Sequence, residues 1–239
     1  MTQVEVLNRG YAKEIYEYAY NNPTADMGAL TQALLKAKRL PDRYSNTANG
    51  VKDFDFEDFE YYDNPYFEDY ELDYYYYIFA RDIKGANVSL LEASLNEDDE
   101  EIIYKFARDV RGTNIELLQS KMRFAFPKYI YLFARDVENV NVQVLEDYLL
   151  DWLPETYDMN FAKDLVKYTL LFAQDIEGTN IYKMISNIQL FISNYLVNPK
   201  QPLPNYCIDI LEELIKELEV IQNNKKNSVL TKIKKDMSL

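Results

Sequence analysis

The chain has 239 residues, 48% hydrophobic and 28% charged, with 40 acidic side chains against 26 basic ones and a net charge of −14. It contains no histidine and a single cysteine, Cys207, which excludes an intrachain disulfide, a thiolate metal cluster and the commonest general base and transition-metal ligand. A chain of this length and composition can bury a substantial core, and so acidic a surface repels nucleic-acid backbone and favours basic partners.

In chain order, residues 1–40 read as a degenerate N-terminal repeat and cap. Tyr18-Ala19-Tyr20-Asn21 through Asp26-Met27 and Leu30 to Leu34 aligns without a gap to Phe79-Ala80, Asn87-Val88 and Leu91 to Leu95. Residues 41–73 form an acidic-aromatic insert: positions 51–73 hold ten carboxylates and eight aromatic rings against one base, Lys52. Residues 74–197 carry four clear repeats. Phe79-Ala80-Arg81-Asp82 returns as Phe106-Ala107-Arg108-Asp109, Phe133-Ala134-Arg135-Asp136 and Phe172-Ala173-Gln174-Asp175. The phenylalanines step by 27, 27 and 39, so an insertion falls around Asp151–Asn160. Such self-similarity marks a repeat architecture.

Each unit predicts a helical hairpin. Apolar residues such as Ile102, Ile103, Phe106, Ala107 and Val110 share one face of a first helix. Glycines 85, 112 and 178, with Asn139 in the third copy, stand where the chain turns left-handed. The asparagines at 87, 114, 141 and 180 then cap a second helix, whose apolar stripe runs Val88, Leu91, Leu95 and equivalents. Residues 198–222 read as a proline break followed by a capping helix with Cys207, Leu211, Leu214, Leu218 and Ile221 on one stripe. Residues 223–239 read as a basic tail of five lysines against Asp236. The expected fold is all-α: an α-solenoid of short hairpin repeats with a C-terminal capping helix.

The recurring Arg-Asp pair has neighbours about 100° apart on a helix, so each Arg is expected to meet the Asp of the next repeat. That gives a structural ladder of Arg81–Asp109, Arg108–Asp136 and Arg135–Asp175. The last repeat, with Gln174 and Asp175, needs an acceptor and no further Arg. The column Tyr77, Tyr104 and Tyr131, four residues before each Arg, is expected to stack beneath the guanidinium. The alternatives are an anion-binding arginine row, or base stacking on that column, which the net charge disfavours. For the insert the alternatives are a solvated cap, a surface for a basic partner, or a cation site at Asp53, Asp55, Glu57 and Asp58. The last lacks the glycine of a calcium loop. No nucleotide-binding, nucleophile-elbow or zinc-protease motif occurs, so no catalytic residue, cofactor or metal is expected.

The unit Tyr-x-Phe-Ala-Arg-Asp-[Ile/Val]-x-Gly-x-Asn-[Ile/Val]-x-x-Leu resembles tandem repeats of poorly characterised bacteriophage, large-virus and bacterial mobile-element proteins. The match covers residues 74–188 well and 14–37 loosely. The resemblance implies a helical-hairpin array and a viral origin, and it carries over no catalytic residue.

The expectation is therefore a non-enzymatic, cytoplasmic, phage-type protein without a membrane span or signal peptide. It binds a host protein with a basic surface, most concretely a nucleic-acid-handling defence complex, in the manner of anti-CRISPR or anti-restriction inhibitors, and does not bind nucleic acid directly. The expected contacts are Asp53, Asp55, Phe56, Glu57, Asp58, Phe59, Glu60 and Asp63. The alternative is a structural or adaptor scaffold that holds a peptide or another copy of itself. The oligomeric state stays open.

Overall fold

The computed structural model describes residues 1–37, 67–197 and 203–236. Among these residues every regular element is helical. None of the described helices is long and apolar enough to cross a membrane. The chain divides into two compact units, Met1–Leu118 and Gln119–Leu239.

The first unit begins with α1 (Gln3–Arg9), α2 (Ala12–Asn21) and α3 (Met27–Leu34). A capping box at Thr2 and Glu5 starts α1, and Gly10, at φ 67°, ends it. Then come α4 (Phe67–Asp82), α5 (Val88–Ser94) and α6 (Glu100–Asp109). Helix α4 packs against α2, α5 and α6. It takes in the last seven residues of the expected insert. Helix α7 (Ile115–Lys121) spans the division between the units.

The second unit continues with α8 (Pro127–Asp136), α9 (Val142–Leu150), a 3₁₀ turn at Leu153–Tyr157, α10 (Met159–Asp175), α11 (Ile181–Val197) and α12 (Asn205–Asp236). Pro127 occupies the first turn of α8, where its missing N–H leaves no bond unmade. Trp152 and Phe161, from the insertion before repeat four, pack with Phe126, and the Trp152 indole donates to the Ala125 carbonyl at 2.9 Å. Helix α12 lies on α10 and α11 and caps them with Cys207, Leu211, Leu214 and Leu218, all buried. It does not stop at residue 222. No breaker interrupts residues 223–236, and the expected basic tail is helical to Asp236.

The repeat register sets the core. Phe79, Phe106, Phe133 and Phe172 are fully buried, as are Leu91, Leu118, Leu145 and Met184 one turn into each second helix. Each such phenylalanine stabilises the fold by roughly 2–3 kcal/mol through area removed from water. The asparagine caps form as expected. Asn87, Asn114, Asn141 and Asn180 each accept from the backbone N–H three residues on, at 3.0–3.3 Å, and Asp26 does the same in the degenerate repeat at 3.0 Å.

The glycine acts slightly later than a helix terminus. Each first helix ends at its Asp, and the following residue, Val110 for example, is extended. The glycine then occupies the third position of a turn, closed in repeat one by Ala86 N–H to Ile83 O at 3.1 Å. Its φ is 90° at Gly85, 81° at Gly112 and 85° at Gly178, and Asn139 adopts 62°. Replacing Asn139 by Gly should be neutral or raise stability by a few tenths of a kcal/mol, whereas Asn139→Val should lose about 1–2 kcal/mol, since a β-branched residue is strained there. Denaturant midpoints of the two variants measure both effects.

Candidate functional site

The expected partner contacts Asp53, Asp55, Phe56, Glu57, Asp58, Phe59, Glu60 and Asp63 lie outside the described residues. The recurring polar residues of the repeats lie within them, and they form two sets of bonds between consecutive hairpins.

The first set corrects the expected Arg–Asp pairing. Arg81 grips its own neighbour, Asp82, through Nε at 2.7 Å and a terminal nitrogen at 2.8 Å. Arg108 holds Asp109 and Arg135 holds Asp136 in the same fork. The 100° separation is overcome because each arginine leans back over the tyrosine four residues earlier. The guanidinium carbons sit 5.0, 5.0 and 5.3 Å from the rings of Tyr77, Tyr104 and Tyr131. In that pose the Nε edge faces the last helical residue. The direct bond to the next repeat comes from tyrosine instead. Tyr77 donates its hydroxyl to Asp109 at 2.6 Å, and Tyr131 donates to Asp175 at 2.7 Å. Arg81 reaches Asp109 only through that hydroxyl, which it contacts at 3.1 Å.

The degenerate repeat keeps this arrangement. Tyr16, two residues before the aligned Tyr18, donates to Asp82 at 3.0 Å. It occupies the position of Tyr77, a match that extending the repeat alignment by two residues reveals. The titration shifts follow the geometry. Burial, then the charge of Asp82, pushes the Tyr16 hydroxyl up to about 12, and burial followed by the Asp109 bond raises Tyr77. The Arg108 fork holds Asp109 below the usual carboxylate range.

The second set was not anticipated. Five residues after each cap, the second helix buries a polar side chain: Thr31, Glu92, Gln119 and Glu146. Each accepts from the backbone N–H of the capping residue in the following repeat. Thr31 Oγ1 receives Asn87 at 3.4 Å, Glu92 Oε2 receives Asn114 at 2.8 Å, and Gln119 Oε1 receives Asn141 at 2.9 Å. Glu146 Oε1 receives Asn180 at 2.5 Å. The amide of Gln119 also donates to the Asn141 carbonyl at 3.0 Å. Glu146 has no such second bond. Its Oε2 is buried without a partner, and burial raises its pKa. In the fourth repeat the position holds Ile185.

Both sets share a polarity. The degenerate repeat, repeat one and repeat three each give a tyrosine hydroxyl to their successor, and all of the first four give a buried acceptor. Repeat four keeps the receiving groups, Asp175 and the Asn180 N–H, and has Leu170 and Ile185 in place of the giving ones. The degenerate first repeat has Asn21 at the Asp position, and its side chain bonds the Glu17 carbonyl of its own helix at 2.7 Å.

One further cluster stands apart. Asp73, the last carboxylate of the acidic stretch, is buried beside Asp99, the residue that opens α6. Asp73 accepts from the Asn96 N–H at 2.7 Å. Burial, then the charge of Asp73 and a hydrogen bond with it, pushes the Asp99 carboxyl up to about 8, and Glu100 and Glu101 add to the effect. Among the described residues no group of three or more histidine, cysteine or acidic side chains is arranged to hold a metal ion. In comparisons with family models, curated proteins and solved structures, the chain matches none.

The tyrosine bond is partly buried and ends on a charge, whereas the arginine side chains of the forks are 40–45% exposed. A double-mutant cycle of Tyr77→Phe with Asp109→Asn should therefore give a coupling of about 1–2 kcal/mol. The cycle of Arg81→Gln with Asp109→Asn should stay below about 0.5 kcal/mol. Urea unfolding of the six proteins measures both.

The Asp73–Asp99 pair sets a pH dependence. The fold retains a proton that the unfolded chain releases near pH 4, so this pair stabilises most below that pH. The contribution is lost progressively as pH rises towards 8. Asp99→Asn keeps a residue able to cap α6 and removes the titration. Its Tm should exceed the parent's at pH 8 and match it near pH 4, a difference that thermal scans across that range resolve.

Proposed function

We propose that the chain is a non-enzymatic α-solenoid of helical hairpins whose acidic exterior binds a protein with a basic surface. Its most concrete target is a nucleic-acid-handling host defence complex, whose nucleic-acid groove it occupies, as the likeness to phage-type repeats suggests. One observation carries the reading. Recurring tyrosines and aspartates bond across consecutive hairpins, Tyr77 to Asp109 and Tyr131 to Asp175, while the recurring arginines hold the aspartates of their own helices. They therefore serve as scaffold, and the interruptions between repeats are left to supply recognition. The chain's charge of −14 suits a partner that ordinarily holds phosphates.

The acidic-aromatic stretch is the proposed contact, with Asp53, Asp55, Glu57 and Asp58 standing in for phosphates and Phe56 and Phe59 as anchors. A purified defence nuclease complex immobilised for binding measurements tests this. The chain should compete with a DNA oligonucleotide for the complex, and its affinity should fall as salt rises. Reversing Asp53, Asp55, Glu57 and Asp58 to lysine should abolish both the binding and the protection of phage in infected cells. Binding and protection that survive the fourfold reversal rule out the segment as the contact. Absence of competition with DNA rules out groove occupancy.

A further inference from the structure

The second unit carries a cleft and a helix extension that complement each other, independently of the proposed host partner. The cleft, of about 350 Å³, lies between the end of α9, the 3₁₀ turn of the insertion and α11. Leu150 and Leu153 form its buried floor, Phe191 lines it, and Leu190 is 60% exposed at its edge. Asp147 on the wall is held by Lys183 at 2.5 Å, while Asp151, one turn further along, is exposed, as is Glu155 on the adjoining turn. The cleft thus offers an apolar floor with an acidic margin.

Helix α12 supplies the opposite character. Among its described side chains the last buried one is Leu218, yet the helix continues to Asp236. Over that extension the chain is basic, with Lys225, Lys226, Lys232, Lys234 and Lys235 against Asp236, in a protein that is otherwise strongly acidic. Val229 and Leu230 on the extension are 58% and 46% exposed. A basic helix displaying apolar side chains is what the cleft fits.

The extension cannot serve the cleft of its own chain. Helix α12 starts against the insertion, where Cys207 bonds the Thr156 carbonyl and Tyr206 bonds the Tyr157 carbonyl. It then runs to the α10–α11 turn, where Lys225 donates to the Ile176 carbonyl at 3.3 Å. Residues 226–236 carry on past that turn for about 17 Å. The cleft lies towards the other end of α11, at residues 187–194. Extension and cleft therefore lie towards opposite ends of α11, the extension leading away from the cleft.

We infer that the basic C-terminal helix of one copy docks in the Asp151–Leu190 cleft of a second copy. The contact is head-to-tail, so each docked pair retains one free cleft and one free helix, and assembly can continue. Docking buries Val229, Leu230 and Leu190 and brings lysines beside Asp151 and Glu155.

Sedimentation equilibrium on the full chain tests this with two exposed-site variants. One, Asp151→Lys with Leu190→Glu, disables the cleft; the other, Lys226→Glu with Val229→Glu, disables the helix. The parent's average mass should rise with concentration, and added salt should reduce the association. Each variant alone should lose association by at least about tenfold. An equimolar mixture should form a dimer and nothing larger, because only one intact cleft and one intact helix remain. Circular dichroism confirms that both variants fold. A parent that stays monomeric at every concentration, a mixture that stays monomeric, or association that survives both variants overturns the inference.

Discussion

A backbone N–H at the start of a helix has no partner within that helix, and burying it unsatisfied costs about 1–3 kcal/mol. In this protein the second helix of each hairpin begins against the preceding hairpin, so its opening N–H must be satisfied from there. Thr31, Glu92, Gln119 and Glu146 do this from buried positions. The geometry is demanding, because the acceptor has to sit one turn into the earlier helix with its oxygen at the next cap. Hairpin spacing, the register of the phenylalanines and the direction of the glycine turn all have to agree with it.

The tyrosine-to-aspartate bonds add a second constraint on the opposite arm of the hairpin. Where both arms are tied, as between repeats one and two and between repeats three and four, a hairpin resists both sliding and rotation relative to the one before it. The chemistry also gives the succession of hairpins a direction. Donor and acceptor roles are not interchangeable, so a repeat can follow its predecessor but not replace it end for end. The ends are marked accordingly: Asn21 replaces the receiving aspartate at the start, and Leu170 and Ile185 replace the giving groups in repeat four. After repeat four, α12 packs on α10 and α11 with an apolar stripe that needs no polar partner.

Much of this was legible from the residues. The buried phenylalanines, the asparagine caps and the left-handed turn positions follow from spacing and side-chain chemistry that a single chain displays. The partner of Arg81 was not, because helical angles alone ignore how far a guanidinium travels when it stacks over Tyr77. The buried acceptors escaped notice for a different reason. Thr31, Glu92, Gln119 and Glu146 differ in size and charge and look like surface variation, although all offer an oxygen at the same register. Composition misled twice. Asp73 belongs to an acidic stretch that reads as solvated, yet α4 buries it against Asp99. The lysine-rich end reads as a separate tail, yet nothing in it stops α12.

These constraints divide the chain into scaffold and interruptions. The repeat residues are committed to one another, and the segments that break the repeat, the acidic stretch, the insertion before repeat four and the basic helix end, are where recognition is proposed. The central physical claim is that side chains of one hairpin hold the opening N–H of the next. Hydrogen exchange at the Asn114 and Asn180 amides measures it directly, comparing the parent with Glu92→Ala and Glu146→Ala. Each substitution should strip protection from its own partner amide, Asn114 or Asn180, and leave the other amide protected as in the parent. Unchanged protection at the partner amide would contradict the account.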